Sequence, residues 1–258
     1  MASHRPRRRF SQNFLIDEAV IAGIVSAISP QPDELMIEIG PGLGALTLPL
    51  VARLKRLHVV EIDRDIVARL KQSFPADRLT IHEGDALQFD FAALGTGLRV
   101  VGNLPYNIST PLLFHLADSA SHIRDIHVML QKEVVDRMVA QPPSSEYGRL
   151  SVMLQFRFQL EKVLDVPADA FRPAPKVESA VVRLLPRKPG TACDEALLAQ
   201  LVAAAFAQRR KTLRNTLKGV FDAEDFAALG LDPGARAQNL SVADFVGATN
   251  YLARKLTT

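Results

Sequence analysis

The chain has 258 residues, of which 48% are hydrophobic and 23% charged, with a formal net charge of +3. This length and apolar content support one large domain, or one with a small appendage, and exclude a chain that is mostly disordered. A single cysteine, Cys193, excludes an internal disulfide framework and a thiolate-rich metal site, and the six histidines show no HExxH-type spacing, so no metal is expected.

The N-terminal stretch MASHRPRRRF is basic, with Arg5, Arg7, Arg8 and Arg9 preceding any acid. It lacks the apolar run and cleavage site of a secretory signal. No apolar run elsewhere reaches the roughly 20 residues that span a bilayer, so the expectation is a soluble, reduced, cytoplasmic protein with no membrane partner. A basic arm of this kind can neutralise nucleic-acid phosphates, and a solvated tail fits the same residues. QNFLID follows and reads on pattern alone as the lead-in to a helix.

From Leu35 short apolar runs alternate with helical stretches. LMIEIG (35–40), RLHVVEID (56–63), RLTIHEGD (78–85), LRVVGNLP (98–105) and DIHVMLQ (125–131) predict strands that end in polar or glycine residues. ALTLPLVARLK and DIVARLKQSF predict the intervening helices. This alternation predicts an α/β fold built on a doubly wound sheet with parallel central strands, in which ligands bind at the carboxyl ends of the strands. LEKVLDVP and SAVVRLLP are two further strand candidates that can close the sheet.

PRKPGTACDE reads as a linker, and the pattern after it is helical. The expected organisation is therefore a sheet domain over residues 1–187 and a small α-helical domain over 188–258. Within the latter, residues 197–221 predict one long amphipathic helix. At 100° per residue Phe206, Leu213 and Leu217 share a face, with Lys211, Arg214 and Lys218 roughly 80–140° round from Phe206. Arg209, Arg210, Lys211, Arg214 and Lys218 have no acid among them, which favours phosphate contact over a merely solvated face. DAEDFAALG and SVADFVGATNYLARKL predict the last helices, the first with a glycine stop and the second with a serine cap.

The chemistry-bearing motifs sit at predicted strand ends. EIGPGLGALT puts Gly40, Gly42 and Gly44 between a strand and a helix, where the backbone can approach a ligand closely. The spacing G-x-G-x-G differs from the G-x-G-x-x-G that cradles a pyrophosphate on a helix N-terminus. Glu61 ends the next strand and can accept the hydroxyls of a ribose, and Asp85 ends the third and can accept from an adenine amine. Each alone is equally a solvated charge; together, on consecutive strand ends, they favour a ligand.

NLPYN is the most informative stretch. An adenine amine is a poor nucleophile because its lone pair is delocalised into the ring. The side-chain carbonyl of Asn103 and the backbone carbonyl of Leu104 can together accept from its two N–H bonds and free that lone pair. Pro105 stiffens the turn, and Tyr106 can stack on an extruded base. The competing reading is a plain proline turn with Tyr106 as packing.

With SQNFLID, EIGPGLGALT, VEIDRD, GDAL, NLPYNIST, LQKEV, YGRLSV, FRPAPKVESAVVRL and FAQRRKTLRN, the chain resembles the ribosomal RNA adenine dimethyltransferases, in particular their bacterial small-subunit branch, over nearly its whole length. The resemblance implies a Rossmann-like class I methyltransferase sheet with a small C-terminal helical domain, S-adenosylmethionine as cofactor, and two methyls placed on each of two adjacent adenosines near the 3′ end of small-subunit rRNA. It implies cofactor contacts at Asn13, Leu15, Gly40, Glu61, Asp85 and Asn103, with Gly42, Ile62 and Ala86 beside them. It also implies that Phe171 flanks the target adenine together with Tyr106. The partner expected is the small ribosomal subunit or its rRNA, and the chain is read as a monomer. Ser11 and Ala174 depart from the family pattern, where glycine and proline are frequent. The alternatives are a large-subunit rRNA methyltransferase of the macrolide-resistance type, a non-catalytic assembly or transcription factor on the same fold, and an NAD-dependent oxidoreductase. Intact Asn103, Pro105 and Tyr106 argue against lost catalysis, and the glycine spacing argues against NAD.

Overall fold

A computed structural model describes residues 13–187 and 192–257; the expected phosphate contacts at Arg7, Arg8 and Arg9, and the departure at Ser11, lie outside them. QNFLID is more than a helix lead-in. β1 (Phe14–Leu15) is a short strand, and α1 (Glu18–Ile28) follows because the Asp17 carboxylate accepts from the Ala19 and Val20 N–H groups. The predicted alternation then unfolds as β2 (Met36–Ile39), α2 (Thr47–Arg53), β3 (Leu57–Glu61), α3 (Arg64–Ser73), β4 (Leu79–Glu83), β5 (Leu98–Asn103), α4 (Ser109–Asp118) and β6 (Ile123–Gln131). α5 (Lys132–Val139), α6 (Arg149–Arg157), β7 (Phe158–Val166), β8 (Phe171–Arg172) and β9 (Ser179–Pro186) come next.

One sheet has the order β4-β3-β2-β5-β6-β9-β7. β2 pairs in parallel with β3 and β5, β3 with β4, and β5 with β6, while β9 runs antiparallel to β6. The chain builds outward from β2 to β4, then returns to the other side of β2 with β5, so the strand order reverses between β2 and β5. Gaps at such a reversal are where α/β sheets bind ligands. Every residue of β2 is buried, as a central parallel strand requires. On one face of the sheet Ile24, Val25 and Ile28 of α1, Leu50 of α2 and Leu70 of α3 share a core with Met36, Val59 and Val101.

The chain divides into two compact units. One holds the described residues as far as Val135 and Gln159–Pro186; the other holds Asp136–Phe158 and the described residues from Arg187 on. The sequence suggests a single cut near residue 187, yet Tyr147 and Val152 join the core of the second unit with Leu198, Leu213, Phe226 and Phe245. That unit's remaining helices are α7 (Glu195–Ala205), α8 (Leu213–Thr216), α9 (Ala223–Leu229) and α10 (Val242–Thr257). Gly230 closes α9 in the left-handed conformation and Ser241 caps α10 through the Asp244 N–H.

Residues 197–221 do not form the single helix their periodicity predicts. α7 stops at Ala205, and the Leu213 and Arg214 N–H groups donate to the carbonyls of Ala235 and Pro233 instead of to a preceding helical turn. Leu213 and Leu217 are nonetheless buried in one cluster, with Phe206 packed against it. Tertiary pairing replaces helical continuity while keeping the apolar side chains together. Among the described residues no helix is long and apolar enough to cross a membrane.

At the amino ends of β5 and β6, Arg99 is only 5% exposed. Its guanidinium donates to both Asp125 carboxylate oxygens (2.9 and 2.8 Å), to Glu34 (2.6 Å) and to the Ile28 carbonyl (2.6 Å). This ties α1, the loop before β2 and the two central strands through one charge. Removing it leaves Asp125 buried without a counter-ion. Arg99→Ala is therefore expected to lower the unfolding free energy by about 3–5 kcal/mol. Urea denaturation measures this, and a loss below about 1 kcal/mol would mean that water or a shifted side chain replaces the arginine.

Candidate active site

A cavity of about 310 Å³ opens at the carboxyl ends of the parallel strands, beside the reversal between β2 and β5. Asn13 and Leu15 reach it from the β1 segment, Gly40 and Gly42 from the turn after β2, Glu61 and Ile62 from the end of β3, and Asp85 and Ala86 from the turn after β4. Asn103, Leu104, Pro105 and Tyr106 complete it from the end of β5. The structure thus gathers every residue the sequence nominated for the cofactor, and four of the five nominated for catalysis.

Phe171, the fifth, is placed elsewhere. It is 2% exposed, lies within the core cluster that contains Leu15 and Met129, and does not line the cavity. β8 pairs antiparallel with β1, with Phe171 opposite Leu15, and the Ile16 N–H donates to the Ala170 carbonyl at 2.9 Å. Burial here removes more apolar surface from water than a cavity-facing position would. In this structure Phe171 holds the Asn13–Leu15 segment against the sheet and offers no face to a base.

Two glycines explain how the walls approach. Gly42 has φ +55°, and a Cβ there would meet the Phe14 ring at 3.3 Å. Gly102, one residue before Asn103, passes so close to β2 that a Cβ would stand 2.6 Å from the Ile39 carbonyl oxygen.

The polar groups are held from behind. The Asn103 side-chain nitrogen donates one of its two N–H bonds to the Asn13 carbonyl at 3.3 Å, which orients the amide and leaves its oxygen as an acceptor. The adjoining turn is fixed by the Leu104 N–H on the Met129 carbonyl (3.1 Å) and the Ser109 hydroxyl on the Tyr106 carbonyl (3.1 Å). The Tyr106 hydroxyl bonds the buried Ser179 hydroxyl at 2.8 Å, so its ring direction is set. Sequence reasoning missed Ser179, because β9 is 73 residues away along the chain.

One Glu61 oxygen accepts from the Ile62 and Asp63 N–H groups, both at 2.8 Å, and the Gly42 N–H adds to this. Burial still raises its pKa, against the lowering effect of those donors. Glu38, also overlooked, is 2% exposed and accepts from the Thr47 hydroxyl at 2.7 Å. Burial pushes its pKa up to about 7, with the Glu61 charge adding to the effect. A lone acid inside the strand MIEI was the signal available for it. The Asp85 carboxylate accepts from the Leu87 N–H at 2.9 Å.

The lining therefore carries three carboxylates, Glu38, Glu61 and Asp85, and no lysine, arginine or histidine among the described residues. That donor set is wrong for a pyrophosphate, whose charge needs cations or a helix N-terminus, and right for a cationic ligand with hydroxyl and amine donors. Apolar walls at Leu15, Ile62 and Ala86 suit a flat ring. S-adenosylmethionine fits on each count: it has a sulfonium, a ribose diol and an adenine amine.

The basic candidates lie apart in sequence, in the second unit. Arg209, Arg210, Lys211, Arg214 and Lys218 are all exposed; Arg209 donates to the Ser145 carbonyl, and none of the five has an acidic partner among the described residues.

Because the atom facing Gly102 is backbone, it cannot swing aside. Gly102→Ala is expected to force β2 and β5 apart and to lower stability by about 1–3 kcal/mol. Thermal unfolding measures this, and an unchanged midpoint would mean that the strands separate freely.

The profile of the ribosomal RNA adenine dimethylase family matches residues 3–254. The ribosomal RNA small subunit methyltransferase A of Chromobacterium violaceum is 64% identical over 258 residues, covering 99% of this chain and 98% of that protein. Its counterpart in Thiobacillus denitrificans is 63% identical, covering 98% and 100%. Among solved structures, a dimethyladenosine transferase from Plasmodium falciparum superposes with a TM-score of 0.83 at 25% identity over 94% of this chain and 98% of that one. The same fold recurs in the 23S rRNA methyltransferase ErmE, with a TM-score of 0.74 at 24% identity over 93% and 100%. Nearly full-length identity, with the sheet, the glycine turn and the NLPY turn in one cavity, leads to one conclusion: the chain belongs to the ribosomal RNA adenine dimethylase family.

Proposed function

We propose that the chain transfers methyl groups from S-adenosylmethionine to the N6 amine of two adjacent adenosines near the 3′ end of small-subunit ribosomal RNA, giving dimethyladenosines. Relatives named as small-subunit methyltransferases, at 63–64% identity over nearly the whole chain, favour this target over the large subunit. The observation that carries the chemistry is the Asn103 amide, turned by Asn13 so that its oxygen is free to accept beside an acidic, cation-free cavity.

S-adenosylmethionine supplies a methyl group already activated on a sulfonium sulfur. The chain's residues need only hold and prepare the two partners. Glu61 accepts from the ribose hydroxyls and Asp85 from the adenine amine of the cofactor, while Asn13, Leu15, Gly40, Gly42, Ile62 and Ala86 enclose it. On the target base, the Asn103 side-chain oxygen and the Leu104 carbonyl accept from the two N6–H bonds. This draws the nitrogen toward tetrahedral geometry and frees its lone pair. Pro105 keeps the two acceptors at a set spacing, and Tyr106, fixed by Ser179, offers a ring for the extruded base to stack on. An amide is too weak a base to take the N6 proton, which therefore leaves to water once the methylated nitrogen is positively charged.

The basic residues of the second unit, with the Arg7 to Arg9 arm, grip phosphates and bring an rRNA hairpin to the catalytic unit. The partner is the small ribosomal subunit or its rRNA, in the cytoplasm.

The direct test is label transfer from S-adenosylmethionine to small-subunit and large-subunit particles, with digestion to identify dimethyladenosine. Label found only in the large subunit would overturn the assignment. Asn103→Ala is expected to slow transfer about 100- to 1,000-fold, as for other losses of one preorganised transition-state hydrogen bond. A folded variant with near-normal turnover would refute the acceptor pair.

For the grip, replacing Arg210, Lys211 and Arg214 with alanine is expected to weaken particle binding at low salt. It should also flatten the log–log salt dependence by roughly 0.7–0.9 per lost phosphate contact. Cofactor affinity should not change. An unaltered slope with a lowered unfolding temperature would instead mark these residues as scaffold.

A further inference from the structure

Of the three cavity carboxylates, Glu38 is the most enclosed, at 2% exposure against 7% for Glu61. Glu61 receives backbone N–H groups from Ile62, Asp63 and Gly42, whereas Glu38 receives one neutral hydroxyl, from Thr47, itself fully buried. Among the described residues the charged groups that share its cavity are Glu61 at the end of β3 and Asp85 after β4; the lining parts of β1, the turn before α2, α3 and β5 bring none. An ionised carboxylate in this position is largely desolvated and, among the described residues, has no cation beside it, a state that costs several kcal/mol. Either a proton or a bound cation relieves it.

We propose that Glu38 makes the cavity select by charge, holding a proton in the free protein and releasing it when a sulfonium methyl donor binds, so that the donor is held more tightly than its thioether product. This rests on the reading that the cavity takes S-adenosylmethionine. The donor carries a sulfonium, an ammonium and a carboxylate, for a net charge of +1. The product, S-adenosylhomocysteine, has lost the sulfonium and is neutral. Binding of the donor converts the Glu38 carboxylic acid to carboxylate and delivers one proton to solvent. After methyl transfer the positive charge is gone, a proton from solvent returns to Glu38, and the spent product leaves more readily. The effect weakens product inhibition relative to a charge-blind cavity without any moving part.

The position of Glu38's pKa near neutrality, raised first by burial, puts this exchange within the working pH range. A bound cation lowers that pKa. Donor affinity is therefore full above about pH 7 and falls as pH drops through that value, by up to about tenfold per unit while one proton is exchanged. Product affinity changes far less.

Calorimetry of the full-length protein at pH 6.5, in two buffers of different ionisation heat, counts the protons released. With S-adenosylmethionine the wild type is expected to release roughly half a proton or more, and with S-adenosylhomocysteine far less. Glu38→Gln should abolish the release and shrink the donor-to-product affinity ratio. Thr47→Val removes the only hydroxyl that favours the ionised form, so the pH midpoint of donor binding should move upward, a shift that a purely structural role for Thr47 would not produce. Proton release or an affinity ratio that survives Glu38→Gln overturns the inference; should that variant not fold, an unmoved midpoint in Thr47→Val does so. If neither ligand binds the wild type, the cofactor reading itself has failed.

Discussion

The site depends on one close approach. β2 and β5 run side by side in parallel register, with Ile39 opposite Gly102, and only a residue without a Cβ lets the Ile39 carbonyl lie where it does. That contact sits at the strand-order reversal, so it sets how far Gly40 and the glycine turn stand from Asn103 and the NLPY turn. Everything the chemistry uses then follows from parallel pairing. β3 and β4, in register with β2, deliver Glu61 and Asp85 to the same edge. A widening of the β2–β5 gap would misplace both halves of the cavity at once, and small misplacements of reacting groups are costly in rate.

The two ends of the same strands treat buried charge in opposite ways. At the amino end Arg99 is matched by Asp125 and Glu34 and by main-chain carbonyls, so its charge is satisfied by the protein itself. At the carboxyl end Glu38 lies near the Glu61 charge and Glu61 near that of Asp63, with hydroxyl and main-chain amide donors for support among the described residues. A fully compensated buried ion contributes rigidity, because removing any partner is penalised. An uncompensated one contributes affinity, because it is relieved only by something from outside. Stability and binding thus draw on opposite edges of one sheet.

Local patterns failed where distant residues decided the outcome. The stretch 197–221 keeps helical periodicity throughout, yet its turn at 206–212 exists because Leu213 and Arg214 find carbonyl partners at Ala235 and Pro233. The burial of Phe171 likewise depends on a distant segment, because β1 pairs with its strand and closes the core over it. Ser179 fixes the Tyr106 ring and the Asn13 carbonyl holds the Asn103 amide, and nothing in the neighbourhood of either residue signals these two pairings.

Seven contiguous stretches of the sequence mark the seven strands of the main sheet, five of them as apolar runs that end in glycine or a polar residue, because such a signal is carried by neighbouring residues. The same local signal puts Gly40, Glu61, Asp85 and Asn103 each next to its own strand, and all four line the one cavity. Pairings in three dimensions fix that the Asn103 side-chain nitrogen meets the Asn13 carbonyl, that Glu38 is buried with no cation beside it among the described residues, that Phe171 is core, and that Asp136–Phe158 belongs with the C-terminal helices. Each of these depends on pairings between residues far apart in the chain, and a one-dimensional pattern holds no record of which distant groups will meet.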